Sequence, residues 1–126
     1  MRIELFPEDA LRPGTVREVQ VGAISVVVMR KHDGTYRALR NRCPHQGGPL
    51  AEGRIDPLIE GSAPGEYLLS PDREVVRCPW HQWEFDVDSG LSPADPRRYR
   101  VRAYDVTVQN GRVYLERRGP AGAAED

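Results

Sequence analysis

The feature that most constrains this chain is a pair of short segments that each contain one cysteine and one histidine. The first has the pattern Cys-x-His at Cys43 and His45, and the second has Cys-x-x-His at Cys78 and His81. Together they hold both cysteines of the 126-residue chain and two of its three histidines. Close spacing lets one loop supply two metal donors at little cost in loop-closure entropy. We therefore expect a fold in which the two segments meet around a metal centre.

The residues next to these donors would let the backbone come close to an iron–sulfur cluster. Pro44 and Pro79 stiffen the two loops and lack an N–H group. Gly47 and Gly48 have no side chain, so their N–H groups can approach the cluster and donate hydrogen bonds to its sulfurs.

A zinc site is the alternative that the donor set leaves open. Two cysteines and two histidines are a legitimate set of zinc ligands. Zinc sites, however, favour Cys-x(2–4)-Cys and His-x(3–5)-His pairs, and the Cys-x-His spacing here is tighter than either. An iron–sulfur cluster is the interpretation that we favour.

The two segments resemble the cluster-binding boxes of Rieske-type ferredoxins and of the Rieske domains of ring-hydroxylating oxygenases. We call residues 41–53 box 1 and residues 76–86 box 2. The resemblance implies one Rieske [2Fe–2S] cluster per chain, with the two cysteines on one iron and the two histidines on the other. It also implies a cluster environment drawn from both boxes and from a third loop over 91–96: Gln46, Gly47, Gly48, Trp80, Gln82, Trp83, Phe85 and Pro93.

Length and turn signals predict one all-β domain. The chain is long enough to bury a core without disulfides, and its short β-branched runs are separated by glycine and proline turns. No helix of three turns is evident. With the resemblance, this predicts a Rieske-like antiparallel β-sandwich with a small cluster-binding sub-domain over residues 1–118, and a disordered tail over 119–126.

Alternation and turn residues place the individual elements. Asp33-Gly34 and Asn110-Gly111 predict hairpin turns, with His32 as an exposed turn residue. Residues 52–66 have no clear period and predict an exposed loop, and residues 71–73 predict a turn. The extra length between the boxes, over residues 55–73, is interpreted as a docking surface or a cover for the cluster, or as a tolerated surface insertion. Strands are predicted over 2–6, 15–21, 24–30, 36–40, 67–70, 74–77, 83–87, 99–108 and 112–116.

Charge and hydropathy exclude several partners. With 18 basic and 19 acidic side chains the formal charge is −1, so we expect no nucleic-acid partner. No apolar run approaches the roughly 20 residues that span a bilayer, so we expect no membrane segment. The N-terminus lacks the apolar region of a secretory signal, which predicts a cytoplasmic protein whose thiols stay reduced.

Departures from respiratory Rieske proteins predict a low reduction potential. Where those proteins carry a pair of disulfide-bonded cysteines, this chain has Gly48 and Trp80. Where they carry hydroxyl donors to the cluster and to a ligand sulfur, it has Trp83 and Phe85. Without these donors the reduced cluster is less stabilised, and we expect a potential of about −150 mV, the low end of the Rieske range.

The chain as a whole predicts an electron carrier. It has no nucleotide fingerprint for a hydride-transferring cofactor, and no further histidine–carboxylate triad for oxygen chemistry. We therefore do not expect an enzyme on its own, but a ferredoxin that passes single electrons from a flavin reductase to a terminal oxygenase. The alternatives are a small Rieske-like subunit of a larger oxidoreductase such as nitrite reductase, and a redox-sensing regulatory module.

Overall fold

The protein is a nearly all-β structure. A computed structural model describes residues 2–42, 49–60, 68–78, 84–93 and 99–116, with the backbone alone for 57–60 and 68–73. The helical element within these ranges is a single 3-10 turn, Leu50–Glu52. The strands are β1 (Arg2–Pro7), β2 (Val16–Val21), β3 (Ile24–Arg30), β4 (Tyr36–Arg40), β5 (Arg54–Glu60), β6 (Leu68–Arg77), β7 (Glu84–Asp86), β8 (Ala103–Gln109) and β9 (Arg112–Glu116).

The strands form two antiparallel sheets of unequal size. The large sheet has the order β1-β9-β8-β4-β3-β2, and the small sheet has the order β5-β6-β7. The two halves of the large sheet are joined by the pairing of Ala38 with Tyr104 and of Leu39 with Ala103. The small sheet contains the strands on both sides of box 2 and the strand after box 1, so it is the predicted cluster-binding sub-domain.

The core consists of two apolar clusters on opposite faces of the large sheet. Alternate residues of β3 point to opposite faces, so Val27 and Met29 join one cluster, and Val26 and Val28 join the other. All four are completely or almost completely buried, which explains why β3 reads as a continuous apolar run. The first cluster lies between the sheets and includes residues of the small sheet and of the boxes: Leu50, Ile55, Val76, Cys78 and Phe85.

Local sequence signals are confirmed where short hairpins build the sheet. The predicted ranges of β3, β4 and β9 agree with the structure at both ends. Asn110 and Gly111 have φ values of 53° and 74°, which is the left-handed pair that a two-residue hairpin loop requires. Gly34 has a φ of 95° in the β3–β4 turn, as the Asp-Gly signal predicts.

The exposed loop predicted over 52–66 is wrong for residues 54–60, while residues 61–66 lie outside the described residues. The turn predicted over 71–73 is also wrong. Residues Arg54–Glu60 form β5, whose Ile55 is buried, and residues 71–73 lie inside β6. Pro57 pairs with Glu74 and Leu58 with Ser70, so residues 71–73 have no counterpart on β5. Pro57 is tolerated because β5 is an edge strand and because the register shifts directly after it.

The strand predicted over 99–108 begins only at Ala103. Residues 99–102 instead pair with the chain that follows β7. Leu91 forms an isolated bridge with Arg100, and the N–H of Val101 donates to the carbonyl of Gly90 at 2.7 Å. The alternating apolar pattern there reflects packing on the core, since Val101 is buried in the first cluster and Tyr99 packs against it. The predicted tail over 119–126 lies outside the described residues.

A polar joint, made by Lys31, Arg37 and Asp88, connects the two sheets. Lys31 and Arg37 flank the β3–β4 turn of the large sheet, while Asp88 lies in the turn after β7. The Asp88 carboxylate accepts from Lys31 Nζ at 3.2 Å and from Arg37 Nε at 2.6 Å. Because the Lys31 side chain is only 9% exposed, the contact with Asp88 offsets the cost of burying its ammonium group.

His32 makes a second polar contact between the sheets. Its side chain is more than half exposed, as predicted, but it is also bonded. The backbone N–H of His32 donates to Glu74 Oε1 at 3.0 Å, and the ring Nδ1 contacts the other oxygen of that buried carboxylate. Glu74 belongs to β6, so the turn predicted as free surface in fact contacts the small sheet. No helix in the described part of the chain is long and apolar enough to cross a membrane.

Replacing Asp88 with asparagine tests the polar joint. The variant leaves the Lys31 ammonium buried without a carboxylate, and we expect it to lose about 2 kcal/mol of unfolding free energy in urea. This is below the roughly 3–5 kcal/mol of a fully buried pair, since the Asp88 side chain is 38% exposed.

Glu4→Gln is the matched control, because Glu4 pairs with Arg112 at an exposed site on the large sheet. It should cost no more than about 0.5 kcal/mol. An Asp88→Asn variant as stable as this control would contradict a structural role for the joint.

Candidate metal centre

Box 1 connects the two sheets rather than forming a hairpin within one. It leaves the large sheet after β4 and enters the small sheet through the 3-10 turn and β5. The predicted ligands Cys43 and His45 lie outside the described residues, as do three members of the predicted environment: Gln46, Gly47 and Gly48. The structure therefore shows how this ligand segment is held at its two ends.

One side chain, Asn41, joins the two ends of that segment. Its Oδ1 accepts from the backbone N–H of Ala51 at 2.7 Å. Its Nδ2 donates to Ser25 Oγ at 3.0 Å, and its backbone N–H donates to the Ser25 carbonyl at 2.9 Å. Asn41 thereby anchors the segment to β3, while Leu50, completely buried, anchors the other end in the core.

Box 2 contains the end of β6, the connection that follows it and the whole of β7. Cys78 directly follows β6 and is completely buried, and it is the one predicted ligand that the structure describes. Phe85 pairs with Val76 across the two strands and is completely buried in the same apolar cluster as Cys78. His81 lies outside the described residues together with Trp80, Gln82 and Trp83.

The two boxes meet where Gly53 packs against Arg77. A Cβ atom on Gly53 would lie 1.8 Å from the carbonyl oxygen of Arg77, so no other residue fits without moving the backbone. Gly53 ends the 3-10 turn, with its N–H donating to the Leu50 carbonyl at 2.9 Å. Because Arg77 directly precedes Cys78, this contact brings the end of box 1 against the start of the second ligand segment. The sequence did not predict this contact between Gly53 and Arg77, because no local signal indicated that residues 54–60 form a strand that pairs with β6.

Four charged side chains cross the small sheet at the same end. Arg54, Arg77 and Glu84 lie opposite one another on β5, β6 and β7. Arg77 Nη2 donates to Glu84 Oε2 at 2.5 Å, and Asp56 Oδ2 lies 3.3 Å from Arg77 Nη1 and 2.9 Å from Arg54 Nε. The hydrogen bond to Glu84 raises the pKa of Arg77 above its usual value, although burial acts in the opposite direction. Sequence reasoning did not identify this group.

The third loop begins beside box 2. The Asp86 N–H donates to the Leu91 carbonyl at 2.9 Å, so the chain turns back against β7 after Gly90. Ser92 is buried, and its N–H donates to the Tyr99 carbonyl at 3.0 Å, which closes the loop at its base. Pro93 is half-buried in this loop, while residues 94–98 are outside the described ranges.

The described part of the site fits an iron–sulfur cluster. A Cys78 thiolate in an apolar core would need a cation to compensate its charge, which a metal cluster supplies. A neutral thiol would also pack well there, so the cluster type is indicated by the predicted donor set, two thiolates with two imidazoles.

Comparison with known proteins gives a family and a set of relatives. A family model described as Rieske [2Fe-2S] domain matches residues 1–105. The chain is 30% identical over 106 residues to Ferredoxin CarAc of Metapseudomonas resinovorans, and the match covers 83% of this chain and 83% of that protein. Two human relatives are longer: the chain spans 14% of Apoptosis-inducing factor 3 and 58% of Rieske domain-containing protein.

Solved structures confirm the fold predicted from the sequence. The ferredoxin of carbazole 1,9a-dioxygenase from Nocardioides aromaticivorans IC177 has a TM-score of 0.70 at 27% identity, covering 94% of this chain and 99% of that one. A putative NADH-dependent nitrite reductase small subunit from Mycobacterium tuberculosis has a TM-score of 0.74 at 25% identity, covering 94% and 96%.

Replacing Gly53 with alanine tests whether the contact between the boxes positions the site. The added methyl group would collide with the Arg77 carbonyl and displace the backbone next to Cys78. A cost of about 1 kcal/mol in cluster binding lowers the affinity of the folded chain for the cluster about fivefold. We expect correspondingly less iron per chain after reconstitution with limiting iron and sulfide.

Gly22→Ala is the control for this substitution. Gly22 has a φ of 60° and nothing within 4 Å of a Cβ atom, so alanine strains the β2–β3 turn without a collision. It should lower the unfolding free energy and leave iron binding unchanged. Circular dichroism would show whether Gly53→Ala still folds; a folded variant with full iron content would refute the positioning role.

Proposed function

The chain belongs to the Rieske [2Fe–2S] domain family, and from this we propose that it is a ferredoxin that carries single electrons from a flavin reductase to a terminal oxygenase. The observation that carries this proposal is the share of each protein that the matches cover. The chain matches ferredoxins over most of their length as well as over most of its own.

We propose that four residues bind the cluster: Cys43 and Cys78 on one iron, and His45 and His81 on the other. When bound, the [2Fe–2S] cluster supplies a reversible one-electron step. The chain's own contribution is to hold the two ligand segments together through Asn41 and Gly53, and to exclude water around Cys78.

The potential of this centre is proposed to be low. Phe85 is completely buried in the cluster of side chains that contains Cys78, and it has no hydroxyl group to donate to a ligand sulfur. Fewer hydrogen bonds to the cluster mean less stabilisation of its reduced, more negative state. A midpoint potential of about −150 mV suits a carrier that accepts electrons from a flavin.

The partners follow from the relatives. A ferredoxin of carbazole 1,9a-dioxygenase serves an oxygenase by its name, and we propose the same kind of acceptor, with a flavin reductase as donor. The cytoplasm is the proposed compartment, since free thiols stay reduced there until the cluster binds.

A second candidate function is a small subunit of a nitrite reductase. It is favoured by the similarity to the nitrite reductase small subunit, whose TM-score equals 0.74. In that case the domain would be a permanent part of a larger enzyme, and its complex would survive gel filtration.

Rapid mixing of the reduced protein with an oxidised ring-hydroxylating oxygenase tests the main proposal. A carrier should be reoxidised in a reaction that saturates with oxygenase and slows with salt, because transient redox complexes depend on complementary charge. A redox titration of the same sample should give the low midpoint, and a value above about +100 mV would contradict it. Stable co-purification with a large reductase subunit would instead select the second candidate.

Electron paramagnetic resonance of the dithionite-reduced protein tests the ligand assignment. We expect a Rieske signal with a low average g value, and we expect His45→Cys and His81→Cys each to abolish or shift it, since a thiolate replaces an imidazole on the reducible iron. His32→Cys is the matched control, because this third histidine contacts Glu74 rather than the proposed cluster. A colourless, silent protein that contains zinc would overturn the assignment.

A further inference from the structure

We propose that Arg77 and Glu84 form a clamp that closes box 2 and holds its two ligands in place. They would act as positioning residues that do not themselves touch the cluster. The inference rests on the proposed assignment of Cys78 and His81 as ligands. Its basis is the position of the pair in the chain. Arg77 directly precedes Cys78, and Glu84 comes three residues after His81.

The clamp lies on the last pair of residues before the loop. Arg77 and Glu84 face each other across β6 and β7, and Arg77 Nη2 donates to Glu84 Oε2 at 2.5 Å. β7 is an edge strand of only three residues, and Glu84 is its first residue. A strand this short has few backbone hydrogen bonds to keep its end from fraying. A charged side-chain contact at that end therefore limits how far the two ends of the loop can separate.

Asp56 holds the arginine from its other side. Arg54 and Arg77 lie directly opposite each other on β5 and β6, an arrangement in which like charges repel. Asp56 Oδ2 accepts from Arg54 Nε at 2.9 Å and lies 3.3 Å from Arg77 Nη1, which compensates both charges. Arg77 is thus oriented by carboxylates from both neighbouring strands, and the planar guanidinium restricts its geometry further.

Burial separates this pair from ordinary surface ion pairs. The side chains of Arg77 and Glu84 are 22% and 34% exposed, so water and salt screen them less than an exposed pair. The Arg112–Glu4 pair has the same 2.5 Å separation but is more exposed and lies on strands that carry no ligand segment. The chain therefore contains its own control for the clamp.

The experiment measures cluster loss from the holoprotein in excess iron chelator, followed by visible absorbance. Glu84→Gln keeps the shape of the side chain and removes its charge, and Arg77→Gln removes the partner. Each should release the cluster about fivefold faster than wild type, and the double variant should be no faster than Arg77→Gln alone, because Arg77→Gln already removes the contact that Glu84→Gln breaks. Glu4→Gln should leave the rate unchanged.

Two further readouts separate positioning from general stability. The reduced spectrum of Glu84→Gln should keep the low average g value but broaden, since the ligands are retained in a wider range of geometries. Glu84→Asp, which retains the charge, should restore part of the wild-type rate of cluster loss.

The clamp is refuted if Glu84→Gln loses its cluster at the wild-type rate or if the two single effects add. A different result would show that the ligand assignment is wrong: an unchanged Rieske signal in the His81→Cys variant.

Discussion

The geometry of the proposed centre depends on one close approach between backbones, that of Gly53 to the carbonyl of Arg77. Box 1 follows β4 of the large sheet, whereas the described ends of box 2 belong to strands of the small sheet, so no single hairpin can set their relative position. The pairing of β5 with β6 does so, and Gly53 lets it begin immediately beside the residue before Cys78. A side chain at this position would separate the segments that must share one cluster, and a site that is about 1 Å too loose commonly fails.

The small sheet is held on the large one by two different kinds of contact. Apolar packing of Leu50, Ile55 and Phe85 against the large sheet provides burial, but the hydrophobic effect has no preferred direction. The contacts of Asp88 with Lys31 and Arg37, and of Glu74 with His32, are directional. They link the β3–β4 turn to the end of the small sheet away from the Arg77–Glu84 pair, and so orient the sheet that presents both boxes.

Prediction from the sequence succeeded where short-range signals control the structure. The β-branched run of β3, the return strand β4 and the Asn110-Gly111 hairpin follow from local propensity and turn chemistry. It failed for β5 and for residues 71–73, because a strand that contains Pro57 and faces an insertion is stabilised by its partner rather than by its own residues. Likewise, Asn41 and Gly53 are ordinary loop residues until the contacts to Ala51 and Arg77 are known.

The sequence by itself supplies the proposed donor set and, with the resemblance of the two boxes, the expected chemistry of the site. Two thiolates and two imidazoles at these spacings indicate a kind of cluster, because donor identity and close spacing are properties of the chain before it folds. The tertiary structure alone decided which contacts hold the ends of the two boxes: a glycine without room for a Cβ atom, an asparagine across the ends of box 1, and an ion pair between the strands that box 2 connects. These arise only when strands remote in sequence pair, since that pairing fixes which backbone and side-chain atoms come within contact distance.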